Sequence, residues 1–186
     1  ALIISQPDLG TAILIVAGGI VVVWLAGLKI KYFIYSFFML IFLAPVVIAF
    51  LKPYQKLRIL TFFDPERDPL GAGYQLIQSK IAIGSGGFLG KGFLNGSQSY
   101  LDYLPEKHTD FIFTLFSEEF GFFGSFFLLI VYALIIQRII TIGKNSKNNF
   151  SKLYCFGFAA AFFICVAVNM SMVLGLVPIV GAPLPI

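Results

Sequence analysis

The chain has 186 residues, 59% of them hydrophobic and only 12% charged, with a net charge of +4. A water-soluble domain carries about 25% charged residues, so this composition excludes one and points to an integral membrane protein. The basic excess is not a nucleic-acid footprint, because Lys and Arg gather between apolar runs, where they act as topology signals.

A membrane-crossing helix needs about 20 mostly apolar residues. By that measure the chain reads as an all-α, polytopic transmembrane helix bundle, a single membrane domain over 1–186 with about five spans. The first residue is Ala1, with no signal peptide ahead of the first span, and the chain stops at Ile186 straight after an apolar segment. Both ends read as those of a fragment of a longer polytopic protein.

The first span is expected over about 10–28, behind Gln6-Pro7-Asp8-Leu9-Gly10-Thr11, and Lys29 and Lys31 end it. The second covers about 32–51, with Pro45 as a kink. A polar stretch from Lys52 to Pro69 follows, and its Asp64-Pro65-Glu66-Arg67-Asp68-Pro69 reads as a rigid, solvated turn. The third segment, about 70–89, mixes Gln75, Gln78, Ser79 and Lys80 with Leu76, Ile77, Ile81 and Ile83. It fits either a span lining a polar cavity or an amphipathic helix lying on the surface. The glycines from Gly84 to Gly92 lack the strand–loop–helix setting and the Gly-Lys-Ser/Thr ending of a nucleotide-binding loop. They suit a flexible mouth beside a lipid-linked diphosphate, with Lys91 as its cation.

A loop over about 88–109 leads to the fourth span, about 110–140, which is longer than one crossing requires. Arg138, Lys144, Lys147 and Lys152 mark its far end, and a fifth span runs over about 153–177. Cys155 and Cys165 lie in that apolar run as packing residues. The loops 52–68 and 138–152 each hold four Lys or Arg, which places both in the cytoplasm and turns the 88–109 loop outward.

The chemistry concentrates in Leu104-Pro105-Glu106-Lys107-His108-Thr109-Asp110-Phe111-Ile112-Phe113. A carboxylate at the lip of a membrane helix is costly, so a functional reading is the default. At 100° per residue, Thr114, Ser117 and Gly121 share the side of Asp110, with Glu118 and Ser125 at its margin, while Glu119 points away. That stripe suggests a polar groove. Asp110 with Thr109 also suits a helix cap, and the two roles are compatible. Glu118 and Glu119 read equally as a buried ion pair fixing helix packing, with Lys80 as a candidate partner. A lone carboxylate at the outer face can serve as general base for a hydroxyl nucleophile. Two-carboxylate hydrolysis would need a second acid, Glu106 or Asp102, brought close. His108, the only His, cannot build a multi-His metal site and reads as a hydrogen-bonding residue. A Mg2+ or Mn2+ ion on the carboxylates is conceivable, though nothing in the residues requires a cofactor.

These motifs resemble one family. Gln6 to Thr11, Asp64-Pro65 with Asp68-Pro69, Gly73-Tyr74-Gln75, Gln78-Ser79, Gly84 through Gly92, and Leu104 to Phe113 followed by Glu118-Glu119-Phe120-Gly121 are similar to the SEDS family, most of all to its elongation (RodA-type) branch. The resemblance runs along almost the whole chain and is most specific from Pro105 to Gly121. It implies a multi-span protein of the bacterial inner membrane with about ten helices. Such a protein polymerises glycan from the lipid-linked precursor lipid II beside a class B penicillin-binding protein and other elongation-complex membrane proteins. It implies Asp110 as the acid that deprotonates the acceptor sugar, Asp102 as an activation-linked position, and Glu106, His108 and Thr109 as shaping the site. Four spans before this stretch and a final span after it belong to the family pattern, so the fragment alone is expected to be inactive. A lipid II flippase, with Asp110 and its groove as a path and no chemistry, shares every one of these features.

Overall fold

The computed structural model describes residues 9–50, 53–64, 71–96, 109–179 and 181–185. Among these the regular structure is all helical: α1 (Leu9–Leu25), α2 (Ile30–Phe50), α3 (Pro53–Phe63), α4 (Ala72–Gly86), α5 (Ile112–Asn145) and α6 (Asn149–Val173). Helices α5 and α6 are long and apolar enough to cross a bilayer, and α1 and α2 hold the shorter apolar stretches Gly10–Leu25 and Ile30–Pro45. On α2, Phe37, Phe38, Met39, Leu40, Ile41 and Phe42 are each more than half exposed in succession. Six consecutive residues sweep more than a full turn, so every face there is apolar and uncovered, a surface for lipid or other spans and not for water.

Helices α5 and α6 form an antiparallel hairpin. Gly143 lets α5 approach Cys155 and Phe156 of α6 near the turn, and the Tyr132 and Phe162 rings meet edge to face at 5.7 Å further along. The Asn148 side chain accepts the Phe150 N–H at 3.0 Å and starts α6. Helix α1 lies on α6 through small residues. A Cβ on Gly18 would stand 3.6 Å from Ala161, and one on Gly157 would strike Val22.

The fourth predicted span is not one straight helix. Gly121 leaves helical geometry at φ 66°, ψ −161°, and the Ser117 and Ser125 hydroxyls on either side of it stand 2.8 Å apart. Eight residues of straight helix would separate them by about 12 Å, so α5 turns back sharply. Its first part (112–120) lies folded against the start of its second. The second part (122–145) rises about 36 Å, enough for one crossing. The length beyond one crossing is therefore a separate short helix.

A break at Gly121 orphans the rungs that would join the N–H groups of residues 122 and 123 to the carbonyls of 118 and 119. The glycine turn after α4 replaces all of them. Lys91 N–H donates to Glu118 O and Gly92 N–H to Glu119 O, both at 3.0 Å. Phe122 N–H donates to Gly87 O at 2.9 Å and Phe123 N–H to Phe88 O at 3.2 Å. Backbones approach this closely because Gly86, Gly90 and Gly121 lack a Cβ; at each, one would collide with the opposite main chain.

Helix α4 is shorter than the segment expected over 70–89. Its 15 residues rise about 22 Å, short of the roughly 30 Å hydrocarbon core. Ser79 meets Thr114, Lys80 and Leu76 lie against Gly175 just past α6, and the following turn is docked at Gly121. Helix α4 is thus held, from Leu76 onward, to the end of the α5–α6 hairpin remote from Lys144 and Lys152. Of its polar residues, Ser79 is fully buried between Thr114 and the Val173 carbonyl.

Candidate functional site

Asp110 stands in the turn that opens α5, half-buried and followed by the fully buried Phe111. Phe111 anchors the turn in a cluster with Phe113, Tyr132, Val166, Met172, Val173 and Leu184. The cap position of α5 is Phe111, which makes no side-chain cap bond.

Two segments close on Asp110. From α6, the fully buried Asn169 donates its amide to the Asp110 carbonyl at 2.8 Å and to the Ala182 carbonyl at 2.5 Å. From the chain after α6, Gly181 adopts φ 75° and lies against the carboxylate; a Cβ there would stand 3.4 Å from Asp110 Oδ2. That segment runs on along the hairpin, where Cys165 Sγ donates to Pro183 O at 3.3 Å and Tyr132 OH to Pro185 O at 3.3 Å. Cys155 and Cys165 are free thiols, as their place in an apolar span suggests.

The stripe read from helical periodicity is present as a buried face. Thr114, Ser117, Glu118 and Gly121 are all buried. Ser79 donates to Val173 O at 2.9 Å. That uses its one proton, so Thr114 is the donor in the 2.9 Å Ser79–Thr114 bond. Ser125 likewise donates to Gly121 O at 2.9 Å, which makes Ser117 the donor between the two serines. These hydroxyls tie α4 to α5 and α6 and the two parts of α5 to each other.

The charges pair differently from expectation. Glu118 is fully buried, and its Oε1 accepts from Lys91 Nζ at 2.7 Å and from Ser85 Oγ at 3.5 Å. Lys91 is therefore engaged by Glu118 at the kink. Lys80 bonds to neither Glu118 nor Glu119; its chain lies along Gly175. Glu119 is half-buried on the other side of the short helix. Thr109 is exposed beside Asp110. Asp102, Glu106 and His108 lie outside the described residues. Among the described residues no three His, Cys, Asp or Glu side chains converge, so they do not by themselves assemble a Mg2+ or Mn2+ site.

Sequence reasoning missed Asn169. The signal was available, since a carboxamide in a span that is otherwise apolar is costly unless it has a task.

The chain matches a family model described as cell cycle protein, of the FtsW, RodA and SpoVE type, over residues 1–186. It is 45% identical over 186 residues to the peptidoglycan glycosyltransferase MrdB of Escherichia coli K12, covering 100% of this chain and 50% of that protein. It is 38% identical over 185 residues to a protein of Geobacter sp. strain M18 named probable peptidoglycan glycosyltransferase FtsW, again covering 100% and 50%. Among solved structures it is similar to a chain from work on the coordination of polymerization and crosslinking by a peptidoglycan synthase complex. The TM-score there is 0.77 at 38% identity, covering 99% of this chain and 50% of that one. The chain thus spans about half the length of the curated relatives it matches.

Proposed function

Because the chain belongs to the FtsW, RodA and SpoVE family of polytopic membrane proteins, we propose that the whole protein is a peptidoglycan glycosyltransferase of the elongation type, with Asp110 as its general base. The observation that carries this reading is the fixed placement of Asp110. Asn169 and Gly181 hold it at the end of the hairpin opposite Arg138, Lys144, Lys147 and Lys152. Those four cations lie close to the ends of α5 and α6 and form a topology signal that puts their end in the cytoplasm. The single crossing of α5 then turns Asp110 outward. The membrane in question is the bacterial inner membrane.

In the reaction, a sugar hydroxyl of one lipid II molecule attacks the anomeric carbon of another glycan. Asp110 takes the hydroxyl proton as the new C–O bond forms. The bond to the polyprenyl diphosphate breaks, and that group leaves with inversion at the carbon. A positioned base contributes about 10²- to 10⁴-fold. Lys80, exposed on α4, is the described cation suited to the leaving diphosphate. Asp102, Glu106, His108 and Thr109 complete the site, with Asp102 acting in activation. The partner is a class B penicillin-binding protein among other elongation-complex membrane proteins, and the substrate is lipid II.

The test uses the full-length protein, purified with its transpeptidase partner and supplied with lipid II in detergent. Asp110→Asn is expected to lower glycan polymerisation at least about 100-fold while the protein remains folded. Polymer made by the variant at the wild-type rate would remove Asp110 from the chemistry. Lipid II scrambling in vesicles with no polymer from the wild type would make the protein a transporter.

A further inference from the structure

Asn169 is a fully buried polar side chain bonded to the main chain of Asp110, and its geometry is one-directional. Both amide protons are used, on Asp110 O at 2.8 Å and on Ala182 O at 2.5 Å. A flipped amide would set its oxygen against two carbonyl oxygens, so the network itself fixes the orientation. Among the described residues no donor reaches Asn169 Oδ1, which is fully buried. An unmet buried acceptor is costly, and the side chain tolerates it while keeping both donors on the two segments that flank the carboxylate. One segment carries Asp110 itself. The other brings Gly181, whose Cα has no Cβ to crowd Asp110 Oδ2.

We infer that Asn169 is a positioning residue for Asp110. By clamping the Asp110 and Ala182 carbonyls together, it sets where the carboxylate stands relative to the incoming hydroxyl. The inference rests on the reading of Asp110 as the base. It assigns Asn169 no contact with substrate, so its loss should be felt in the chemical step and not in substrate binding. A misplacement of about 1 Å in a reacting group costs on the order of 100-fold.

The experiment compares Asn169→Leu, Asn169→Asp, Asp110→Asn and the double variant Asn169→Leu/Asp110→Asn in the full-length protein with its partner. Turnover and KM for lipid II are measured alongside the detergent Tm. Asn169→Leu keeps the volume and removes both donors. It is expected to lower kcat about 10- to 100-fold with KM unchanged, and to add nothing in the Asp110→Asn background. Asn169→Asp is isosteric and covers the case in which the leucine variant fails to fold. It should recover relative to wild type as pH falls, because a protonated carboxyl regains one donor. Wild-type kcat in Asn169→Leu or Asn169→Asp overturns the inference alone if Asp110→Asn is inactive. So does a fall in kcat that tracks a rise in KM and a fall in Tm, or an Asn169→Asp variant indifferent to pH. Full activity of Asp110→Asn overturns the base reading and this inference with it.

Discussion

Gly121→Ala isolates what the break in α5 depends on. The native backbone there has φ 66° and ψ −161°, a region open essentially to glycine alone, and a side chain held in it costs about 1–3 kcal/mol. The added Cβ would also meet Gly90 N, Phe88 O and the Leu89 carbonyl carbon. All three are main-chain atoms, so no side chain can swing aside. Relief requires the 87–92 turn to withdraw, and that turn supplies the hydrogen bonds that replace the lost rungs at residues 118, 119, 122 and 123. Each is worth about 1 kcal/mol net. Strain together with the loss of two of these bonds gives an expected destabilisation of about 3–5 kcal/mol. Denaturant unfolding of the full-length protein in micelles measures it. Gly84→Ala is the paired control: Gly84 lies inside α4 with no atom within 4 Å of a built Cβ, so alanine there should be neutral or stabilising by up to about 1 kcal/mol. An unfolding free energy for Gly121→Ala within about 0.5 kcal/mol of wild type would refute the account of the break.

Lys91→Met removes the ammonium from the buried Glu118 and should destabilise by about 3 kcal/mol, because one buried charge is left without this partner. Adding Glu118→Gln should restore most of the loss, and a double variant no better than the single one would count against the pair. Asn148→Ala deletes the cap bond to Phe150 N–H and should cost about 1 kcal/mol, read in the same unfolding assay, with polymerisation unchanged. Gly157→Leu should drive α1 from α6, since even a Cβ there strikes Val22. A cysteine pair placed across that contact should then cross-link less efficiently than in the otherwise native protein.

Much of the fold was legible where composition alone decides. The apolar runs of α1, α2, the later part of α5 and α6 have no alternative to the membrane. The polar stripe Thr114, Ser117 and Gly121 was legible too, because residues 112–120 form one unbroken helix to which a 100° period applies. The break itself was not legible, since a lone glycine in a helical pattern is ordinary and only the docked turn makes it a break. Ser125 was placed at the margin of the stripe by periodicity, and it does meet Ser117, but through the fold-back and not through a shared face. The partners of α4 were not legible, because Thr114 and the Val173 carbonyl, which take up Ser79, are remote from it in sequence.

The same break builds the candidate site. Gly143 of α5 lies against Cys155 of α6, so fourteen residues further up each helix Asn169 of α6 lies level with residue 129 of α5. In a straight α5, Asp110 would stand nineteen residues beyond that level, about 28 Å away. Yet Asn169 bonds the Asp110 carbonyl at 2.8 Å. Only the reversal at Gly121 brings the two together. Stability and catalysis should therefore fail together at Gly121 and separate at Asn169: straightening the helix removes both the replaced rungs and the carboxylate's seat, whereas loss of the amide leaves the rungs intact. A Gly121→Ala protein that polymerised lipid II normally despite a large loss of stability would show that the carboxylate reaches its seat without the break.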